Sequence, residues 1–158
     1  IIERLSKNYG QKIVWKEKEY YTFPTPNELS KASVQDLRNL GLGFRDKRIY
    51  ETTQLILEGK INLNTLQEKD SEEIREELLK LPGVGNKVAD CIMLFSTLKK
   101  LDAFPVDVWV RRVMNELYIH QEEQKVKQQE ITELARKKYA NLAGIAQQYL
   151  FYWKRETG

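Results

Sequence analysis

Apolar positions recur at helical spacing along nearly all of this 158-residue chain. Ile1, Ile2, Leu5 and Tyr9 make a first stripe of the kind an amphipathic helix buries, and Gly10 ends it. The chain starts inside this pattern without a Met, which reads as a helix entered partway along and predicts a piece of a longer protein. Between residues 12 and 23 the spacing changes. Ile13, Trp15, Tyr20, Tyr21 and Phe23 come close to alternation, which predicts a small two-stranded hairpin closed by Pro24 and Pro26. Asn27 is then expected to cap a short helix over 28–31, and Ser33 one over 34–40.

Ile49, Thr52, Leu55 and Ile56 predict a helix up to Gly59, and another short one starts at 64–66. Asp70 or Ser71 caps a stronger helix over 72–80, with Ile74, Leu78 and Leu79 on one face. Val88, Ala89, Ile92, Leu94 and Phe95 predict a largely buried helix. A helix over 108–118 follows, then a charged, solvent-facing stretch over 125–139 and an apolar C-terminal helix over 142–153. No repeat, low-complexity segment or internal linker interrupts this order. The predicted fold class is all-α, with one helical domain over residues 1–158.

Composition narrows the chemistry. An apolar fraction of 41% and a charged fraction of 31% describe a globular chain. The formal net charge of +3 is too mild to point to nucleic acid without surface patterning. Cys91 is the single cysteine and His120 the single histidine. That excludes an internal disulfide framework and a four-cysteine cluster, and it disfavours a histidine-based metal site or a Ser-His-Asp triad. No signal peptide and no bilayer-length apolar run is present, so the protein is expected to be intracellular and soluble; it is also expected to be a monomer.

The stretch Leu81-Pro82-Gly83-Val84-Gly85-Asn86-Lys87 carries the strongest signal. Gly83 and Gly85 allow positive φ and leave the backbone bare. Consecutive N–H groups over Gly83, Val84, Gly85 and Asn86 can form a nest for an anion, and the helix beginning near Asn86 adds its dipole. A DNA phosphate fits such a site without use of a base edge. A plain turn between two helices is the competing reading. Lys87 lies in the first helical turn, where a cation is locally unfavourable. The same field favours the neutral amine, a nucleophile; the plain alternative is an exposed lysine on phosphate. Cys91 lies one turn further on the same face, and alone reads as a small core residue. Asp107, after Pro105 and Val106, reads as an N-cap, a rigidly held carboxylate that can also take a proton or stabilise a cation.

LPGVGNKVADC at 81–91 and PVDV at 105–108 resemble the motif of the helix-hairpin-helix DNA glycosylases, and within them the 8-oxoguanine DNA glycosylases. FPTPNEL at 23–29, LGLGFR at 40–45 and IAQQYLF at 145–151 carry the same resemblance. It implies a bifunctional enzyme acting on duplex DNA with 8-oxoguanine opposite cytosine. Lys87 would attack C1′ of a flipped nucleotide, and Asp107 would position it and stabilise the developing charge. Cys91 and Phe151 would sandwich the base and Gln147 would read its edge. Phe44 and Arg45 would fill or flank the gap in the duplex. No cofactor is required, although backbone carbonyls of Leu79, Leu81 and Val84 would hold a structural cation. The family's β-rich N-terminal domain and an Asn-bearing gap-filling segment would lie upstream of residue 1. Trp109 stands where eukaryotic members tend to have a phosphate-contacting histidine. Such an enzyme works in the cytoplasm and nucleoid, or in a nucleus.

Three rivals are weighed against this. Endonuclease III-type enzymes share the hairpin but carry a four-cysteine cluster. Alkyl-base glycosylases, of another lesion preference, usually lack the lysine. A non-catalytic helix-hairpin-helix DNA-binding module needs neither Lys87 nor Asp107.

Overall fold

The structure, a computed structural model, describes residues 1–157. It is all-α apart from one two-stranded ribbon, as the periodicity predicts. The helices are α1 (Ile2–Tyr9), α2 (Pro26–Leu29), α3 (Val34–Asn39), α4 (Asp46–Leu57), α5 (Ser71–Leu79), α6 (Asn86–Phe95), α7 (Val108–Met114), α8 (Gln128–Tyr139) and α9 (Ala143–Thr157). Strands β1 (Lys12–Trp15) and β2 (Lys18–Tyr21) pair antiparallel, with Trp15 opposite Lys18. The chain divides into two compact units. One comprises Ile1–Asn64 with Leu81–Gly83; the other comprises Thr65–Lys80 with Val84–Gly158.

In the first unit, Leu5, Leu29, Ala32, Leu37 and Leu42 form the core, with Tyr9, Leu40, Ile49 and Tyr50 packed at its edge. Local sequence sets its helix starts. Thr25 and Glu28 make a reciprocal capping box, as do Ser33 and Asp36. The cap of α2 is therefore Thr25 and not Asn27, because Pro26 occupies the first helical position, where its missing N–H costs nothing. Gly10 ends α1 in an extended conformation. A Cβ there would sit 1.9 Å from the Thr22 carbonyl oxygen, so the glycine serves close packing against the end of the hairpin. The ribbon turns through Lys16 and Glu17, both left-handed (φ 48° and 62°), the two-residue geometry that matches strand twist. All but Tyr21 of its residues are exposed.

In the second unit, Phe104, Val106, Val110, Val113, Met114, Val126, Ile131, Ala135 and Ala143 form the core. Gly144 lets α9 approach closely: a Cβ would meet Leu94 Cδ1 at 2.5 Å and the Ala103 carbonyl oxygen at 2.7 Å. Three expectations are corrected. The helix predicted over 108–118 is α-helical only to Met114 and continues as one π-helical stretch, Asn115–Ile119, ended by His120 in the left-handed region. The helix after the glycine turn is less buried than its composition suggests. Met93 and Leu94 are inside, but Val88 and Phe95 are 39% and 54% exposed because they lie off the face that meets the core. The C-terminal helix buries only a stripe at Ala143, Gly144 and Gln147, and leaves Tyr149, Tyr152 and Trp153 exposed. No helix among the described residues is long and apolar enough to cross a membrane.

Candidate active site

The glycine stretch is a turn between α5 and α6. Only Gly83 uses its conformational freedom, at φ +77°. Gly85 does not: it is the extended N-cap of α6, at φ −104° and ψ 179°. Of the two glycines that allow positive φ, one adopts it. A glycine at the cap has a different consequence. No side chain caps α6, so the first N–H groups of the helix keep no side-chain acceptor. A Cβ at Gly85 would meet nothing within 4 Å, so the backbone there is open to a close-approaching group. That combination of bare N–H groups and helix dipole suits a phosphate oxygen. Gly83, Gly85 and Asn86 are exposed and Val84 is half-buried.

Lys87 is exposed and forms no ion pair among the described residues. Behind it, Ala89 and Asp90 are buried, while Cys91 is half-buried with a free thiol. Asp90 on α6 pairs with Arg75 on α5, and so ties together the two helices that flank the turn. Burial pushes the Asp90 carboxyl above the ordinary carboxylate range; the Arg75 guanidinium pulls the other way, and Asp102 and Glu72 add to the rise. The periodicity reading missed this pair. Its signal is a polar residue on the otherwise buried face of α6.

Asp107 is the N-cap of α7, as expected: its Oδ1 accepts the Val110 N–H at 2.8 Å. Trp109 is half-buried, with the Arg112 guanidinium carbon 5.6 Å from its ring centre. Gln147 is 4% exposed, and its Nε2 donates to the Pro105 carbonyl at 3.0 Å, two residues before Asp107. Gln147 Oε1 accepts from Gln148. Phe151, one turn on from Gln147, is half-buried against the core of the second unit, and the Arg155 guanidinium carbon lies 5.5 Å from its ring centre. α9 is thereby bonded to the loop that carries Asp107. Of two cavities of about 430 and 380 Å³, the first lies beside α1 and β2 and the second around Asn86, Asp90 and Thr132. Neither is lined by Lys87, Cys91 or Phe151.

In the first unit, Phe44 stands 70% exposed on a short 3-10 turn, Gly43–Arg45. The guanidinium carbons of Arg45 and Arg48 lie 4.8 and 5.4 Å from its ring centre. Asp46 anchors the turn from below. It is 2% exposed, takes the Lys47 N–H on Oδ1 and Arg38 Nε on Oδ2 at 2.6 Å, and is held below the ordinary carboxylate range chiefly by the Lys47 N–H.

The carbonyls of Leu79, Leu81 and Val84 are not used by the backbone hydrogen bonds that close the turn. Those run to Glu77 from Lys80 and to Gly85 from Ala89. Among the described residues no group of three or more His, Cys, Asp or Glu side chains could hold a metal ion, so a cation here would rest on carbonyl oxygens.

The chain is similar to known proteins along nearly its whole length. The chain is 34% identical to a probable N-glycosylase/DNA lyase of Methanothermobacter thermautotrophicus, over 99% of this chain and 55% of that protein. It is 43% identical to MBOgg1, solved with a low-affinity DNA ligand, with a TM-score of 0.92 over 99% of this chain and 53% of that one. It is 42% identical to the 8-oxoguanine glycosylase/lyase of Clostridium acetobutylicum, solved with duplex DNA carrying cytosine opposite 8-oxoguanine. That match has a TM-score of 0.89 and covers 98% of this chain and 52% of that one. The chain thus spans about half the length of these relatives. The family model described as HhH-GPD superfamily base excision DNA repair protein matches residues 1–141, and the chain belongs to that family.

Proposed function

We propose that this chain is the helical part of a bifunctional DNA glycosylase and abasic-site lyase that removes 8-oxoguanine from duplex DNA where it lies opposite cytosine. The observation that carries the reading is an exposed, unpaired Lys87 in the first turn of α6, two residues after a glycine cap that leaves the helix N–H groups bare. A binding turn alone has no need of the lysine. The relatives named for N-glycosylase/DNA lyase and 8-oxoguanine glycosylase/lyase activity support the same chemistry.

In this reading the hairpin holds a backbone phosphate, and the target nucleotide is turned out of the stack because C1′ is shielded inside the duplex. The Lys87 amine, as the free base, attacks C1′. The bond from C1′ to the base breaks, and the base leaves with its electron pair and takes up a proton. The sugar opens to a Schiff base with Lys87. Loss of a C2′ proton then expels the 3′ phosphate by β-elimination. Asp107, fixed by its bond to the Val110 N–H, stabilises the positive charge that develops at C1′. Cys91 and Phe151 hold the base between them, Gln147 reads its edge, and Phe44 and Arg45 occupy the space it leaves. The carbonyls of Leu79, Leu81 and Val84, outside the turn's own hydrogen bonds, would hold a structural cation, which would supply positive charge for a phosphate. No redox or organic cofactor takes part. The enzyme works as a monomer wherever the genome is kept, in the nucleoid or in a nucleus.

Borohydride reduces a Schiff base to a stable amine, so it traps such an enzyme on its substrate. The protein is expected to become covalently linked to DNA containing 8-oxoguanine opposite cytosine, and Lys87→Gln to abolish the adduct. Strand cutting that survives Lys87→Gln refutes the nucleophile.

A further inference from the structure

Arg48 has no place in the chemistry above, yet it touches two of its elements. It lies on α4, is exposed, and forms no ion pair among the described residues. Its neighbours differ. Lys47 is 3.6 Å from Glu51, and Arg38 is taken by Asp46. Its stem lies across the hairpin turn. A Cβ on Gly83 would come 2.3 Å from Arg48 Cδ, 2.8 Å from Nε and 3.0 Å from Nη1. Gly83 is therefore suited to φ +77°, and a side chain there would displace Arg48 from the turn. The Arg48 guanidinium carbon also lies 5.4 Å from the centre of the exposed Phe44 ring.

These contacts place the charge between Gly83 and Phe44. With its carbon over the Phe44 ring, the Arg48 guanidinium has no carboxylate partner among the described residues, so its N–H groups are open to an acceptor. The stem is held over backbone rather than waving in solvent, so less side-chain freedom is lost when those N–H groups find an acceptor. Arginine's fork matches the oxygens of a phosphate, and no carboxylate competes for it here. Gly83 is two residues from the cap of α6, where the bare N–H groups also favour an anion.

We propose that Arg48 is a DNA-backbone contact of this chain, taking one phosphate with a guanidinium whose stem rests on Gly83 and whose face lies beside Phe44. This rests on the glycosylase reading of the hairpin. It adds a positioning and binding residue that neither the glycine motif nor the Lys87–Asp107 pair specifies.

The test is the dissociation constant of the purified chain on a duplex with 8-oxoguanine opposite cytosine and on the undamaged duplex, measured across salt from about 50 to 200 mM. Arg48→Met keeps the stem and removes the charge. It is expected to bind both duplexes about tenfold more weakly, with the salt slope reduced by about one phosphate. Arg48→Lys keeps the charge and is expected to keep the slope. Lys31→Met lowers net charge equally, in the exposed turn between α2 and α3, and is expected to bind like wild type. Wild-type affinity and slope in Arg48→Met overturn the proposal, as does an equal loss in Lys31→Met. Loss of slope in Arg48→Lys shows a packing role only and overturns it too. A wild-type chain with no salt-dependent DNA binding removes the glycosylase reading itself, and Arg48 with it.

Discussion

Gln147 donates to the Pro105 carbonyl at 3.0 Å across 42 residues of sequence. The bond ties the buried stripe of α9 to the short segment that ends in Asp107, so one side chain links the proposed base reader to the proposed charge stabiliser. Gln147→Ala leaves a buried carbonyl unpaired and a cavity beside it. A loss of about 2 kcal/mol in urea unfolding is expected. The variant should also lose excision of 8-oxoguanine while it still forms borohydride adducts on a preformed abasic site, where no base is present to be read. Equal loss on both substrates points to misplacement of Asp107 instead.

Asp107 is the cap of α7, and the chemical role proposed for it is separable from that cap. Asparagine caps helices as well as aspartate, whereas alanine does not. Asp107→Asn is expected to melt close to wild type and yet to lose about a hundredfold in single-turnover excision, as expected when one transition-state charge partner is removed. Asp107→Ala should show the same catalytic loss together with about 1 kcal/mol of stability. Full activity in Asp107→Asn leaves the residue a cap and nothing more.

Arg75 and Asp90 form an ion pair whose side chains are 17% and 2% exposed. Removing one partner strands the other charge in a water-poor site, which typically costs about 3 kcal/mol or more. Arg75→Met alone should therefore destabilise the helix pair around the hairpin, and Arg75→Met with Asp90→Leu should recover most of that loss. The check is a double-mutant cycle on unfolding free energy. Additive losses would show that the two residues do not act as a pair.

Acid should weaken the first unit through its capping boxes. The Glu28 carboxylate is held below its ordinary value of 4.5, chiefly by the Thr25 N–H, and Asp36 below 3.8, chiefly by the Ser33 side chain. Folding thus favours the charged forms. The stability they contribute is complete above the ordinary carboxylate values and is lost as pH falls through those values and then through the lowered ones. Melting temperature measured over this range should fall towards acid in the wild type, and more gently in Asp36→Ala. An unchanged profile in the variant would remove Asp36 as a contributor.

Much of the site was legible in the chain because its signals are local. A glycine turn, a lysine one residue into a helix and an aspartate at a cap each depend on a few neighbouring residues. Lys87 and Asp107 accordingly lie on the elements the pattern predicts. Capping boxes and the hairpin ribbon are local for the same reason, even where the cap moved from Asn27 to Thr25. The burial of α6 and α9 was less legible, because apolar content says what a helix can bury but not how wide a face its partner covers.

What the sequence by itself determined was the succession of helices, the turn built on Gly83 and Gly85, and the chemistry-bearing residues at the helix starts. Backbone dihedral preferences and capping bonds act over one turn of chain, so local residues suffice to specify them. Tertiary structure alone decided which distant groups meet: Arg48 with Gly83, Arg75 with Asp90 and Gln147 with Pro105. Those pairings depend on how close two segments approach. That distance is set by steric facts such as the missing Cβ of Gly83 or Gly144, which no periodicity records.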